Sequence, residues 1–285
     1  MHFQIYPVIA IPLVAIALPL LTTSADGHEL WIDPTNFTVS AGQDVTANLR
    51  VGEKFSGGAS PYIPTRIERL ELHTASGAAT ISGRAGDRPA IDFKAQEEGL
   101  AIVAYESDIS TVRYRDFEKF IAFVEHKKFD GALKAHEERN LSKDDFVETY
   151  SRHAKSLIGI GSGRGNDVYV GMITEITALD NPYTADISQG MRVRVTYQDA
   201  PRTNVQVEIY SRPSGEGNAS ENVTVETVQT DDEGIATILV ERGRDYMLDA
   251  VVLREPPSER AAIREAVWDS LWANLTFSVP AATSQ

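Results

Sequence analysis

The residues that could do chemistry begin at Asp26, Gly27 and His28. If a peptidase cuts after Ala25, the mature chain starts Asp-Gly-His, and a histidine in third place can hold a metal ion in one plane. The donors would be the terminal amine, two deprotonated backbone amides and the His28 imidazole. A square of nitrogens suits Cu²⁺ or Ni²⁺ better than Zn²⁺, Ca²⁺ or Mg²⁺. The alternative interpretation is that His28 simply begins the first strand.

A second cut site obeys the same small-residue rule. Cleavage after Gly27, with Ala25 at position minus three, would leave His28 as the first residue, which still offers an amine and an imidazole. The predicted metal-binding residues are therefore His28, Asp26, Gly27 and Glu29.

Three more histidines, His126, His136 and His153, fall in a segment predicted to be helical. Two or three of them could converge and form a second metal site, because imidazole is a common metal ligand. The alternative is that they are solvated helix residues, like their neighbours Lys127 and Lys128.

Sequence motifs of catalysis are missing. The chain has no Gly-X-Ser-X-Gly and no His-Glu-X-X-His, and no spacing singles out two carboxylates as a glycosidase pair. We therefore expect a protein that is not an enzyme.

Export is predicted by the N-terminal segment 1–25. Its apolar run over residues 7–21 is shorter than the roughly 20 residues of a membrane-spanning helix, and small polar residues follow it. This pattern is typical of a signal peptide and predicts a periplasmic protein with no membrane span after cleavage.

The amino-acid composition limits the kinds of partner and of site that the protein can have. Lysine plus arginine number 27 and aspartate plus glutamate 41, so the net charge is 27 − 41 = −14. Such a chain repels nucleic acid and can attract cations. Cysteine is absent, which excludes disulfides, thiolate metal sites and cysteine nucleophiles.

Alternating apolar and polar residues predict a mainly β protein. We expect two β-sandwich-like domains of immunoglobulin or transthyretin type, at residues 26–158 and 168–280, joined by a glycine-rich linker at 159–167. An α-helical insertion is predicted at about 116–158, as two helices at roughly 116–138 and 143–158, because apolar residues there recur at spacings of three and four.

Five short motifs, in order along the chain, resemble a bacterial periplasmic family. They are HELWIDP (28–34), LRVGEKF (49–55), ETYSRHAKSL (148–157), TDDEG (230–234) and WDSLWANLTF (268–277). The family is a domain of unknown function often described as a NikM-like component of nickel uptake.

The resemblance implies an accessory protein that handles nickel or cobalt, and its matching positions carry over only His28 as a ligand. The partner would be an inner-membrane metal transporter or an outer-membrane receptor. The predicted function is thus binding a divalent transition metal, Ni²⁺ or Co²⁺ or else Cu²⁺, and assisting its uptake. The alternative is a non-catalytic adhesion or carbohydrate-binding module, which exposed tryptophans would favour.

Overall fold

The computed structural model describes residues 28–218 and 221–281. The predicted signal peptide and the predicted ligands Asp26 and Gly27 lie outside these residues. Strands make up 49% of the chain and helices 10%, which confirms the predicted mainly β, sandwich-like class. No described helix is long and apolar enough to cross a membrane.

The described residues form eighteen strands, three short α-helices and one 3₁₀ helix. The strands are β1 Glu29–Pro34, β2 Thr38–Val39, β3 Asp44–Glu53, β4 Ser56–Ser60, β5 Ile67–Thr74, β6 Gly77–Thr80, β7 Ile91–Lys94, β8 Gly99–Ser107, β9 Ser110–Tyr114, β10 Phe146–Ile160, β11 Thr174–Ala178, β12 Met191–Tyr197, β13 Ala200–Pro201, β14 Gln206–Pro213, β15 Thr224–Gln229, β16 Ile235–Ile238, β17 Arg244–Arg254 and β18 Trp268–Val279. The helices are α1 Phe117–His126, α2 Ala132–Glu138, α3 Ser258–Ala261 and the 3₁₀ helix Pro64–Arg66.

A large sheet forms the centre of the fold. Its strands run in the order β15-β14-β17-β18-β10-β8-β5-β6, and β2 and β9 also pair with β10. β10 is parallel to β18 and antiparallel to β8 and β9. It is almost wholly buried, because both faces of the sheet are covered.

Two smaller sheets cover opposite faces of the central sheet. The front sheet contains β1, β3, β4 and β7, and the back sheet contains β11, β12, β13 and β16. Side chains along β8 alternate between the two cores: Ala101 and Val103 pack in the front core, and Leu100 and Ile102 in the back core.

Helices α1 and α2 also pack on the front face. Their aromatic cluster includes Phe120, Phe146 and Trp268. Phe146 and the front-core residue Ala154 are an even number of residues apart along β10, so their side chains share a face. The end of α1 is thereby brought beside the front sheet.

The helical prediction was only partly right. Residues 116–138 form two helices, but the predicted helix at 143–158 is wrong, since β10 occupies Phe146–Ile160. The Ser142 hydroxyl accepts hydrogen bonds from Asp144 N and Asp145 N in a turn before the strand. Because β10 is buried on both faces, its apolar residues do not have to alternate with polar ones, and here they recur at spacings of three and four.

The predicted linker at 159–167 is held to the rest of the protein. Gly159 and Ile160 complete β10, and the Asn181 side-chain amide donates to the carbonyls of Gly163 and Gly165 at 2.9 and 2.7 Å. Strands from both predicted units, 26–158 and 168–280, pair within the central sheet.

Candidate metal centre

His28 lies immediately before β1, beside Glu53 at the end of β3. The antiparallel register places Glu29 opposite Gly52, and His28 Nδ1 lies 3.5 Å from Glu53 Oε1. Nδ1 is buried and has no hydrogen-bond partner, while 39% of the His28 side chain is exposed. An imidazole nitrogen able to bind a metal therefore faces a carboxylate.

Glu29, the next residue, points into the protein. One carboxylate oxygen from each of Glu29, Glu208 and Asp249 lies within 4.8 Å of the others, and all three residues are buried. Glu208 and Asp249 are directly opposite one another on β14 and β17. Like charges in such a cross-strand pair repel, so this carboxylate cluster requires a cation.

Lys127, directly after α1, supplies that cation. Its Nζ lies 2.6 Å from Glu208 Oε2, 2.9 Å from Asp249 Oδ2 and 3.5 Å from Glu29 Oε1. The ammonium also lies 4.8 Å from the centre of the Trp272 ring. Lys127 is buried, so the expectation that it is solvated was wrong.

His126 and Tyr210 complete the surroundings of Glu208. His126 Nε2 lies 2.8 Å from Glu208 Oε1, and the Tyr210 hydroxyl donates to Glu208 Oε2 at 2.6 Å. A cavity of about 330 Å³ is lined by Glu29, Glu53 and His126 among others. The cavity is thus lined by one member of the His28–Glu53 pair and by one member of the carboxylate cluster, Glu29.

Burial and charge set the protonation of the cluster. Burial raises the pKa of Glu29 to about 7, although Lys127 opposes the rise. Burial also disfavours the charged form of Glu208, but the His126 hydrogen bond and the Lys127 charge together lower the Glu208 pKa to about 2. The Asp249 pKa is raised by burial. The Lys127 pKa is raised, because the three carboxylates outweigh the effect of burial.

The cluster retains unused acceptors. Glu29 Oε2 and Asp249 Oδ1 are buried without a hydrogen-bond partner, and so are both side-chain polar atoms of Asn274, which is opposite Asp249 on β18. Buried polar atoms are normally satisfied. These oxygens can therefore accept a further donor or cation.

A second buried ion cluster, on the back face, differs in that its carboxylate oxygens all have hydrogen-bond or ion-pair partners. Lys155 Nζ pairs with Asp167 at 2.7 Å and with Glu175 at 2.9 Å. The remaining carboxylate oxygens accept backbone hydrogen bonds, Asp167 Oδ2 from Ala178 N and Glu175 Oε2 from Val170 N and Met172 N. Because its acceptors are satisfied, we assign this cluster to holding residues 167–178 in place.

The three helix-segment histidines do not converge. His126 contacts Glu208, whereas the buried His136 ring accepts a hydrogen bond from Trp268 Nε1 and contacts the Ser142 carbonyl. His153 is buried in β10, and burial lowers its pKa to about 3. Within residues 28–218 and 221–281, the one ligand group of three or more is Glu29, Glu208 and Asp249. The possible second histidine site is therefore not formed, and the alternative of solvated helix residues is wrong for His136 and His153, which are buried.

Of the predicted ligands, the described structure places His28 and Glu29 at the start of β1 and brings Glu29 into the cluster. Sequence reasoning missed Lys127, Glu208 and Asp249. The available signal was a charge inside an apolar run: Asp249 lies in YMLDAVV (residues 246–252) and Glu208 in VQVEIY (residues 205–210). A lone charge in such a strand indicates a buried partner.

Comparison with models of protein families shows which family this chain belongs to. The family model described as "Domain of unknown function (DUF4198)" matches residues 25–254. This chain belongs to that family. DUF4198 membership confirms the expected domain-of-unknown-function family, and the match runs from the predicted cleavage site to the end of β17, which includes four of the five motifs. No curated protein matches the chain.

Solved structures show only distant similarity to this DUF4198 protein. The D0-D1 domain of intimin is 13% identical, with 88% of this chain and 97% of that one covered, at a TM-score of 0.21. The Salmonella alpha-2-macroglobulin reacted with methylamine is 9% identical, with 89% of this chain but 15% of that one covered, also at 0.21. These scores carry no functional argument.

Proposed function

We propose that this protein is an exported, periplasmic binding protein for a divalent transition metal, which it passes to an inner-membrane transporter or an outer-membrane receptor. The observation that carries the proposal is the His28–Glu53 pair, whose Glu53 lines a cavity together with His126 and Glu29. Imidazole nitrogen and carboxylate oxygen together suit Ni²⁺, Co²⁺ and Cu²⁺.

The donors around His28 fit either cleavage position. After a cut at Ala25, the Asp26 amine, two backbone amides and His28 would surround the metal, and Glu53 would add an oxygen donor and a negative charge. After a cut at Gly27, the His28 amine and imidazole would act with Glu53. In both cases His28 Nδ1 is the unpartnered ring nitrogen beside the carboxylate.

The negative net charge of the protein supports a positively charged cargo. The net charge of −14 attracts cations, and Glu29, which has a carboxylate oxygen without a partner, lines the same cavity as Glu53. The proposed role is binding and delivery, with no catalysed reaction.

The tryptophans weigh against the adhesion or carbohydrate-binding alternative. Trp31, Trp268 and Trp272 are 0%, 4% and 3% exposed, so their rings are core residues. A sugar-binding face needs exposed aromatic rings.

The test is calorimetric titration of Ni²⁺, Co²⁺ and Cu²⁺ into untagged protein purified after export, with the N-terminus determined by mass spectrometry. We expect one equivalent to bind to the wild type, binding to be lost in His28→Ala, and affinity to fall about tenfold in Glu53→Gln. The matched controls are His73→Ala, whose ring contacts Glu71, and Glu68→Gln, an exposed carboxylate. Equal binding by wild type and His28→Ala would contradict the proposal.

A further inference from the structure

A larger cavity, of about 640 Å³, opens on the front face between the front sheet and β10. It lies where the β9 pairing of β10 ends at Tyr150 and the β8 pairing begins at Leu157. Its size is in the range of small-molecule sites. The metal proposal does not use the interior of this cavity, although His28 is on its rim.

Arg152 lines this cavity without a carboxylate partner. Among the described residues, its guanidinium makes one hydrogen bond, from Nη2 to the His28 carbonyl at 2.9 Å, and no ion pair. Its Nε is buried and unpartnered. Because a guanidinium has five N–H donors and a permanent charge, this arrangement leaves capacity for an anion.

Among the described residues, no carboxylate forms an ion pair with Arg152, and Asp108 on the cavity wall accepts a hydrogen bond from Ile109 N. Arg152 is close enough to Asp249 to lower its pKa, against the larger effect of burial, but Asp249 pairs with Lys127 instead. Glu148, which also lines the cavity, accepts hydrogen bonds from Ser270 and Tyr114. Burial raises the Glu148 pKa to about 7, which favours its neutral form.

The rest of the cavity wall is mixed, with an aliphatic part beside polar side chains such as Thr65 and Thr111. Leu49, Val51, Ile63 and Ile109 contribute to it, and the Tyr150 ring packs 4.6 Å from the Arg152 guanidinium carbon. An anion with an apolar body would bury that body against these side chains. A small inorganic anion would leave the aliphatic wall unused.

We propose that this cavity binds a small organic monocarboxylate, whose carboxylate accepts hydrogen bonds from Arg152 and whose apolar body packs against the front sheet. Planar guanidinium and carboxylate groups match in a bidentate geometry. The site adjoins the proposed metal centre at His28, whose carbonyl accepts from Arg152, but its ligand binds without a metal.

The experiment is calorimetric titration of hexanoate, octanoate and indole-3-acetate into metal-free protein in EDTA. Octanamide serves as the neutral analogue. The variants are Arg152→Gln, Ile109→Trp, which fills the cavity while keeping Arg152, and the control Arg113→Gln, whose guanidinium pairs with the exposed Asp145. Circular dichroism checks that each variant is folded.

We expect at least one carboxylate to bind to wild type and to Arg113→Gln, at least tenfold weaker binding to Arg152→Gln, and lost binding in Ile109→Trp. Octanamide should bind at least tenfold more weakly than octanoate. The inference is overturned if no carboxylate binds, if octanamide binds as well as octanoate, or if a folded Arg152→Gln binds like the wild type. Because no metal is present, these outcomes are separate from those that test the metal centre.

Discussion

Lys127 Nζ lies 2.6 Å from Glu208 Oε2 in the interior of the protein, where Asp249 and Glu29 approach the same ammonium. The lysine comes from the end of a helix and the glutamate from a strand of the central sheet. One side chain thus connects the helical cluster to β1, β14 and β17, and it is the cation that allows three carboxylates to be buried together.

Removing that cation should destabilise the protein. We expect Lys127→Met to lower the free energy of unfolding at pH 7 by about 3–5 kcal/mol, because it leaves buried carboxylates unpaired. Urea unfolding measures the change. The loss should be smaller at pH 5, since Glu29, whose pKa is about 7, accepts a proton there and leaves fewer unpaired charges.

The matched control is Lys134→Met, which breaks an exposed pair with Glu138. We expect it to change the free energy of unfolding by less than about 0.5 kcal/mol. A Lys127→Met protein as stable as this control would contradict a structural role for the buried ion pair.

Glu148 should make stability depend on pH. Its pKa is about 7 in the fold against an ordinary value of 4.5, so the folded state holds a proton that the unfolded chain releases. This contribution is complete below pH 4.5 and is lost as pH rises to 7, a decrease of about 3 kcal/mol. Urea unfolding across this range should show a flatter profile for Glu148→Gln than for wild type.

The glutamine should keep the local hydrogen bonds. Its oxygen can accept from the Ser270 hydroxyl, and its amide can donate to the Tyr114 oxygen. Glu137→Gln, at an exposed carboxylate beside Lys143, is the control and should keep the wild-type pH profile. Identical profiles for wild type and Glu148→Gln would rule out the buried proton.

The pKa values of two histidines should differ from the ordinary value of 6.5 in opposite directions. The hydrogen bond to Glu208 raises the pKa of His126, so its imidazole should stay protonated above pH 6.5. Burial lowers the pKa of His153 to about 3, so that ring should be neutral throughout the neutral range. Nitrogen-detected NMR titration of the imidazoles measures both in one sample.

The Glu208→Gln variant tests whether the hydrogen bond to Glu208 is what raises the His126 pKa. It should lower the His126 pKa, because the charged acceptor is removed, and leave His153 neutral. The assignment fails if His126 titrates below 6.5 in the wild type or if the substitution does not change its pKa.

Part of the candidate site could be predicted from local sequence. His28 was selected by its position after the predicted cleavage site, and that inference needs only the order of residues. Glu53 and His126 could not be connected to it, because the β1–β3 register and the packing of α1 decide which side chains meet there. The Arg152 cavity could not be predicted from the sequence either, since its walls come from separate strands and loops.

The sequence by itself determined the mainly β class, the family and the acidic, cysteine-free composition. These follow from period-two alternation, short motifs and residue counts, all of which are local or additive properties. Tertiary structure alone decided that residues 146–160 form a strand and that Glu29, Lys127, Glu208 and Asp249 meet. The physical reason is that a buried charge is strongly destabilising unless a group of opposite charge lies beside it. Here the paired groups lie far apart along the chain, so only the tertiary structure brings them together.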